Sequence, residues 1–192
     1  QLTAVSSNAV GISAAASTTM IARYGSTNSI VNAGYNISWN ITASPGGGDG
    51  VISGVTTTNG IGQTQANFTA TVPGVYTVTA SSGDTWSGDP TEVFTITVTA
   101  IVRTLSIVSG DGQAAPTNTA LLFPLVVLAQ DNAVNASGIT INWAVISGDA
   151  TPSAPTSVTN VAAGEASINI NLGPTPGPIV VRATRADDAS VF

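Results

Sequence analysis

Apolar residues alternate with threonine, serine or asparagine over most of the chain, and this period of two constrains the fold more than any other feature. The alternation is clearest in YTVTA at 76–80, FTITVTA at 94–100 and ITINWAV at 139–145. It is typical of β-strands with one buried and one solvated face. Glycine and proline clusters, such as SPGGGDG at 44–50 and GPTPGP at 173–178, separate these runs as turns do. The sequence therefore predicts an all-β fold.

The sequence also contains two copies of one pattern. ISW ending at Trp39 is followed by PGVYTVTA at 73–80, and INW ending at Trp143 is followed by PGPIVVRAT at 176–184. Each half of the chain, at about 95 residues, is long enough to bury a core of its own. The repeat predicts two tandem β-sandwich domains, at 9–101 and 102–192.

The charge pattern limits the partners that the chain could bind. Charged residues make up 7% of the sequence, lysine is absent, and the formal net charge is −6. Nucleic-acid binding needs a basic surface to neutralise phosphates, so we expect no nucleic-acid partner. No apolar run approaches the ~20 residues of a membrane-spanning helix, so we also expect no membrane span.

Few catalytic side chains are available. The chain has no histidine, cysteine or lysine, which excludes Ser-His and Cys-His dyads, thiolate and histidine metal sites and Schiff-base chemistry. The carboxylates lie in turn-like contexts, where aspartate caps the backbone. We predict that the chain is not an enzyme and holds no cofactor. Asp84, Asp89 and Asp111 are weak candidates for Ca²⁺, since no EF-hand pattern surrounds them.

The second half carries a family resemblance in LSIVSGDGQ at 105–113, in the D-x-x-x-x-x-x-G-x-x-I-x-W pattern that ends at Trp143, and in PIVVRAT at 178–184. With GEASINI at 164–170, these stretches resemble the bacterial Ig-like domains of the invasin and intimin type. The first half matches more loosely, through Trp39 and the GVYTVTA stretch. The resemblance implies Ig-like sandwiches and an extracellular place at the bacterial cell surface.

Three aromatic residues are predicted to anchor the two cores. Trp39 and Trp143 occupy the same position in the two copies, where an Ig-like sandwich buries a large ring. Tyr76, in the Gly74-Val75-Tyr76 sequence, resembles a tyrosine corner.

The two copies end differently. In the first, VFTITV begins at Val93 and supplies a complete last strand, with Phe94 and alternate residues after it facing the core. In the second, only Val191 and Phe192 remain. The second domain is therefore predicted to lack its own last strand, with Val191 and Phe192 at an edge that accepts a strand from elsewhere.

The N-terminal residues are the candidate donor. Written after Phe192, the sequence QLTAV continues the alternation of VFTITVT, so residues 1–8 are predicted to be a donor strand and linker. The donor residues would be Gln1, Leu2, Thr3, Ala4 and Val5. Insertion into the second domain of another copy would build a head-to-tail polymer by strand addition. Alternatively, the chain is one covalent repeat of a tandem Ig-like adhesin stalk.

The sequence thus favours a structural extracellular protein, the subunit of a bacterial surface filament that binds further copies of itself. Cell adhesion through a tandem-repeat stalk is the alternative, and a carbohydrate-binding module is a third. Glycans or the surface of a host or neighbouring cell would then be the partner, and Trp86, in SSGDTWSGDP, would be the contact.

Overall fold

The computed structural model describes residues 1–25, 33–83 and 90–192 of the 192-residue chain. The chain divides into two compact units, Gln1–Ile101 and Val102–Phe192, which we call the first and second domains. All regular secondary structure in the described residues is β-strand, as the alternation predicts. Among the same residues, no helix has the length and apolar character needed to cross a membrane.

The first domain consists of two four-stranded sheets. Its strands are β1 (Leu2–Ala4), β2 (Ala9–Ser13), β3 (Ser17–Tyr24), β4 (Ser38–Ala43), β5 (Val51–Ser53), β6 (Gln63–Thr69), β7 (Gly74–Ser81) and β8 (Thr91–Thr99). The sheets have the strand orders β1-β3-β6-β5 and β2-β8-β7-β4. All pairs are antiparallel except β2 with β8, which run parallel.

The core of the first domain lies between the two sheets, because side chains from both sheets form one buried cluster. Phe68 of β6 packs against Tyr76 of β7, with ring centroids 5.1 Å apart, and Trp39 of β4 packs against Phe94 of β8 at 5.4 Å. Interleaved aromatic and aliphatic residues from two facing sheets define a β-sandwich. Trp39 and Tyr76, predicted to be core anchors, are both buried.

The second domain has nine strands, which form sheets of four, three and two strands. Its strands are β9 (Arg103–Ser109), β10 (Leu125–Asp131), β11 (Val134–Asn135), β12 (Thr140–Ser147), β13 (Ala150–Pro152), β14 (Thr156–Val158), β15 (Glu165–Ile168), β16 (Ile170–Leu172) and β17 (Val180–Arg185). β10 pairs with β9, β11 and β15, β12 pairs with β14 and β17, and β13 pairs with β16. Trp143 is buried in its core.

The strand registers confirm that the two domains share the Ig-like sandwich predicted from the repeat. Trp39 pairs with Ala80 of β7, and Trp143 pairs with Ala183 of β17. In both ladders the register shifts two residues after the tryptophan. β17 is therefore the counterpart of β7, residue by residue.

Within the single chain the N-terminal segment pairs with the first domain, whereas the sequence predicted a separate donor strand and linker at 1–8. Residues Leu2–Ala4 pair with β3, and the Leu2 side chain is 3% exposed in the domain core. In the second domain, Leu105 of β9 pairs with β10 in the equivalent place. β1 is thus the first strand of its own sandwich and corresponds to β9.

The sequence of β1 fits two positions in the repeat. A period of two fits any half-buried strand, so QLTAV matched VFTITVT as well as it matched its true counterpart. The better match is between QLTAVSS at 1–7 and TLSIVSG at 104–110, which share leucine, valine and serine at the same spacing. The spacing in sequence between these two stretches is close to that between Trp39 and Trp143, so the repeat itself indicates this match.

Candidate functional site

The outer edge of strand β17 is open. In the first domain, β7 lies between β4 and β8, whereas β17 pairs with β12 and with no other strand of residues 102–192. The Ala186 amide donates to the Thr140 carbonyl at 2.9 Å. Because hydrogen-bonded pairs alternate along an antiparallel ladder, the main-chain groups of Val181 and Ala183 point away from β12, towards the open side.

In the first domain, the corresponding edge of β7 is paired with β8. The counterparts of Val181 and Ala183 are Val78 and Ala80, which pair with Phe94 and Glu92 of β8. In the second domain no residue between 102 and 192 takes the place of β8 along these positions. Free main-chain donors and acceptors in a row are a template for an added strand.

An apolar groove of ≈ 530 Å³, which we call the acceptor groove, runs beside this edge. Its walls include Leu105 and Ile107 of β9, Val127 of β10, Trp143 of β12 and Val181 of β17. The groove therefore lies between the sheet of β9 and β10 and the sheet of β12 and β17, where the inward side chains of β8 lie in the first domain.

The exposure of Ile107 shows that the groove is an uncovered core. Ile107 pairs directly with Val127, so both side chains lie on the inner face of the sheet. Val127 is 5% exposed, but Ile107 is 68% exposed. An inward-facing aliphatic side chain with that exposure lacks the layer that would normally cover it.

A second cavity, of ≈ 410 Å³, adjoins the acceptor groove and shares Leu125 and Val181 with it. It extends past Leu121 to Ile179, the counterpart of Tyr76. Isoleucine fills less space than the tyrosine ring of the first domain. The open apolar space thus follows β17 over most of its length.

The two terminal residues lie at one end of this edge. The Arg185 amide donates to the Val191 carbonyl at 3.1 Å, and the Phe192 ring stacks on the Arg182 guanidinium at 5.5 Å from its centroid. In the first domain, Ser82 donates to Pro90 in the same way. Val191 therefore takes the place of Pro90. The shared Val-Phe dipeptide would instead align Val191 with Val93, three residues later.

A buried arginine fixes the start of this terminal segment. Arg185 is fully buried, and its guanidinium lies 3.0 Å from Asp187 and 2.8 Å from Asp131. It also donates to the carbonyls of Gln130, at 3.0 Å, and Thr104, at 3.3 Å. Arg185 thereby joins β9, β10 and the segment that follows β17.

Arg103 extends this cluster of ion pairs. Arg103 contacts Asp187 at 3.4 Å and Asp188 at 3.8 Å, so two arginines face three aspartates counting Asp131. The Arg185 guanidinium lowers the pKa of the Asp187 carboxyl, mainly by hydrogen bonding. Asp187 in turn raises the pKa of Arg185. These ion pairs link β9 and β10 to the segment that follows β17.

In the first domain, an aspartate also links segments that are distant in sequence. The Asp49 carboxylate accepts hydrogen bonds from the amides of Thr71, at 2.9 Å, and Val72, at 3.0 Å, and from the Thr71 hydroxyl. The Tyr76 hydroxyl donates to the Val72 carbonyl at 2.9 Å, as in a tyrosine corner. Asp49 therefore ties the turn at 44–50 to the residues that precede β7.

We expect Asp49→Asn to weaken the first domain near pH 7, with an effect that shrinks in acid. The Thr71 hydroxyl and the Val72 amide hold the pKa of the Asp49 carboxyl well below its usual range. A depressed pKa stabilises the fold above the unfolded value of about 3.9, and the stabilisation is lost as the pH falls below it. Urea unfolding at about pH 7 and about pH 3 measures the difference. Asp111→Asn, at an exposed site, is the control. If the loss of unfolding free energy caused by Asp49→Asn is as large at about pH 3 as at about pH 7, the role given to the Asp49 carboxylate is wrong.

The remaining predicted site residues are not brought together. Asp111 is exposed at the rim of the acceptor groove, and Asp84, Asp89 and Trp86 lie outside the described residues. Within 1–25, 33–83 and 90–192, no three carboxylates approach closely enough to hold a metal ion.

The chain is similar in structure to several bacterial surface proteins. No family model and no curated protein sequence matches it. The adhesin InvE of Yersinia pseudotuberculosis is 17% identical, with 97% of this chain and 55% of that chain covered and a TM-score of 0.42. The D0–D1 domain of intimin is 20% identical, with 100% of this chain and 92% of that chain covered and a TM-score of 0.39. Domains 4–9 of the surface layer protein SbsC are 14% identical, with 95% of this chain and 28% of that chain covered and a TM-score of 0.38. The chain spans about half of InvE, and the fold assignment rests on the strand pairing described above.

Proposed function

We propose that the chain is a structural, adhesion-type protein of the bacterial cell surface that polymerises head to tail by strand addition to its second domain. The observation that carries this proposal is the open edge of β17 beside an apolar groove, at the place that β8 fills in the first domain. A strand bound there would gain main-chain hydrogen bonds and bury its alternate side chains. The adhesin and surface-layer proteins among its structural neighbours agree with this role.

The proposed donor is Gln1–Val5 of another copy. In its own domain, β1 is a three-residue edge strand that pairs with β3 alone. With Leu2 in the position of Phe94, Ala4 takes the position of Ile96, and both face the groove. Binding to a neighbour would be an exchange, because Leu2 must leave the core of the first domain.

An exchange of this kind produces a fibre. The donor lies in the first domain and the acceptor in the second, so the contact joins different surfaces of successive copies. Such a heterologous contact propagates without closing unless the rotation between copies forms a ring. The sparse charge and the absence of lysine fit an edge that is covered in use, since exposed edges are usually protected by charged residues.

Paired cysteines test the exchange, and the chain has no cysteine of its own. In the proposed register Thr3 of one copy lies opposite Val180 of the next, because Thr95 lies opposite Thr77, the counterpart of Val180. We expect the double variant Thr3→Cys, Val180→Cys to form a ladder of disulfide-linked multimers on a non-reducing gel. Directly paired strand residues have the Cα separation that a disulfide requires.

The matched control is Thr3→Cys with Arg23→Cys. These residues pair within the first domain, so this variant should give an internal disulfide in any copy whose β1 remains in its own sheet. Complete internal oxidation of the control, with only monomers from the Val180 variant, would refute Gln1–Val5 as the donor. Deleting Gln1–Val5 is a less specific test, since it also removes β1 from the first domain.

The tandem repeat itself favours a second candidate, a covalent stalk of an adhesin. In that case the open edge of β17 would be covered by a later part of the same polypeptide. The mass of the native protein under full denaturation distinguishes the two. A mass of about 19 kDa, the value for these 192 residues, supports the non-covalent polymer.

A further inference from the structure

The wall of the acceptor groove contains an aromatic ring without an aromatic partner. In the first domain, Trp39 packs against Phe94 of β8 with centroids 5.4 Å apart. Its counterpart Trp143 lies in the groove wall, held by a hydrogen bond of 2.8 Å from its indole nitrogen to the Ser157 hydroxyl. Among residues 102–192, all of which are described, no ring packs against Trp143.

We infer that the acceptor groove is selective for a β-strand with an aromatic residue opposite Val181 and aliphatic residues at the next inward positions. The inference rests on the proposal that the groove accepts a strand, and it adds the chemistry of the preferred one. The aromatic ring packs against Trp143, as Phe94 packs against Trp39. Paired aromatic rings contribute beyond the area that they bury.

The adjoining cavity sets the second inward position. In the first domain Ile96 lies opposite Tyr76, whereas the strand in the groove faces Ile179, which leaves the cavity of ≈ 410 Å³ beside it. A large aliphatic residue fits this place better than a small one, because unfilled apolar space forfeits packing contacts. The preferred partner therefore carries the pattern aromatic-x-aliphatic, with polar residues between.

The N-terminal strand fits this specificity only in part. Gln1–Val5 would place Leu2 against Trp143 and Ala4 beside Ile179, and both side chains are smaller than those of β8. An aromatic strand of the β8 type is therefore the tighter ligand. Such a strand occupies the end of a growing polymer without offering a new acceptor, so it caps the filament.

Short peptides added to the full chain test this selectivity. The parent peptide is Glu92–Ala100, EVFTITVTA, which begins just beyond the position that Phe192 occupies in the second domain. The comparison peptides carry Phe94→Ala, Phe94→Leu or the outward-facing Thr95→Ala, and a fifth has the sequence of residues 1–7. Each is labelled, and its Kd is measured by fluorescence anisotropy.

We expect the parent to bind best and the Phe94→Ala peptide to bind about tenfold more weakly or worse, as for a buried anchor at an interface. The Phe94→Leu and 1–7 peptides should lie between them, and Thr95→Ala should stay within about twofold of the parent, since outward positions contribute little. The parent peptide should also shorten the filaments seen by electron microscopy.

The outcomes separate the inference from the proposed function. Equal binding of the parent and Phe94→Ala peptides would overturn the aromatic selectivity and leave strand acceptance standing. If no peptide binds while the Thr3–Val180 cysteine pair still cross-links copies, the selectivity is wrong and the polymer contact is real. If neither occurs, both are refuted.

Discussion

Replacing Phe94 with alanine is expected to lower the free energy of unfolding of the first domain by about 3–5 kcal/mol, the usual cost of emptying a buried aromatic site. Phe94 is 1% exposed, pairs with Val78 and packs against the Trp39 ring. Its removal leaves Trp39 in the situation of Trp143. In the second domain, Trp143 lines the uncovered acceptor groove.

Urea unfolding monitored by hydrogen exchange of peptides from each domain measures this effect, because it resolves the two domains. Thr95→Ala, one residue further along β8 with its side chain outward, is the control and should change stability by no more than about 0.5 kcal/mol. Protection of the second domain should stay unchanged in both variants. A loss below about 1 kcal/mol for Phe94→Ala would show that β8 does not cover the core as described.

Arg185→Ala should destabilise the second domain by about 3 kcal/mol, at the lower end for breaking a buried ion pair. The lower end applies because Asp131 and Asp187 keep 35% and 37% of their side-chain exposure and can be hydrated. The carbonyls of Gln130 and Thr104 would lose their charged donor. The terminal segment would also lose the contact that holds it beside β17.

Arg103→Ala is the matched control for this prediction. Arg103 contacts Asp187 and Asp188 of the same cluster, but it is partly exposed, and exposed ion pairs contribute up to about 1 kcal/mol. Hydrogen exchange of the β10 and β17 amides measures how much stability the second domain loses in each variant. Similar losses in the two variants would mean that burial of Arg185 adds nothing to its ion pairs.

The alternation of the sequence predicted the strands and their inner faces well. Phe94 and Ile96 were expected on the core face of the last strand of the first domain, and both are buried. The same signal leaves two positions open for QLTAV, because a period of two says which face a residue occupies but not which strand it belongs to. Only the spacing of a whole repeat resolves that ambiguity.

The arginine cluster illustrates a different limit. Val181, Ala183 and Arg185 share one face of β17, so an arginine on the core side followed by two aspartates was a visible signal. The partner Asp131, however, is 54 residues away in sequence and is brought close only by the pairing of strands. Ion pairs across a sandwich depend on the tertiary fold, which local patterns do not encode.

The parallel pairing of β2 with β8 determines how the first domain responds to tension along the chain. Force applied at Ala9 and Thr99 pulls β2 and β8 in opposite directions along their shared axis. The register pairs from Ala9–Thr95 to Ser13–Thr99 are then loaded together in shear rather than opened one after another. The second domain has no such pair within residues 102–192. Under tension along the chain, the first domain is therefore expected to unfold at a higher force than the second.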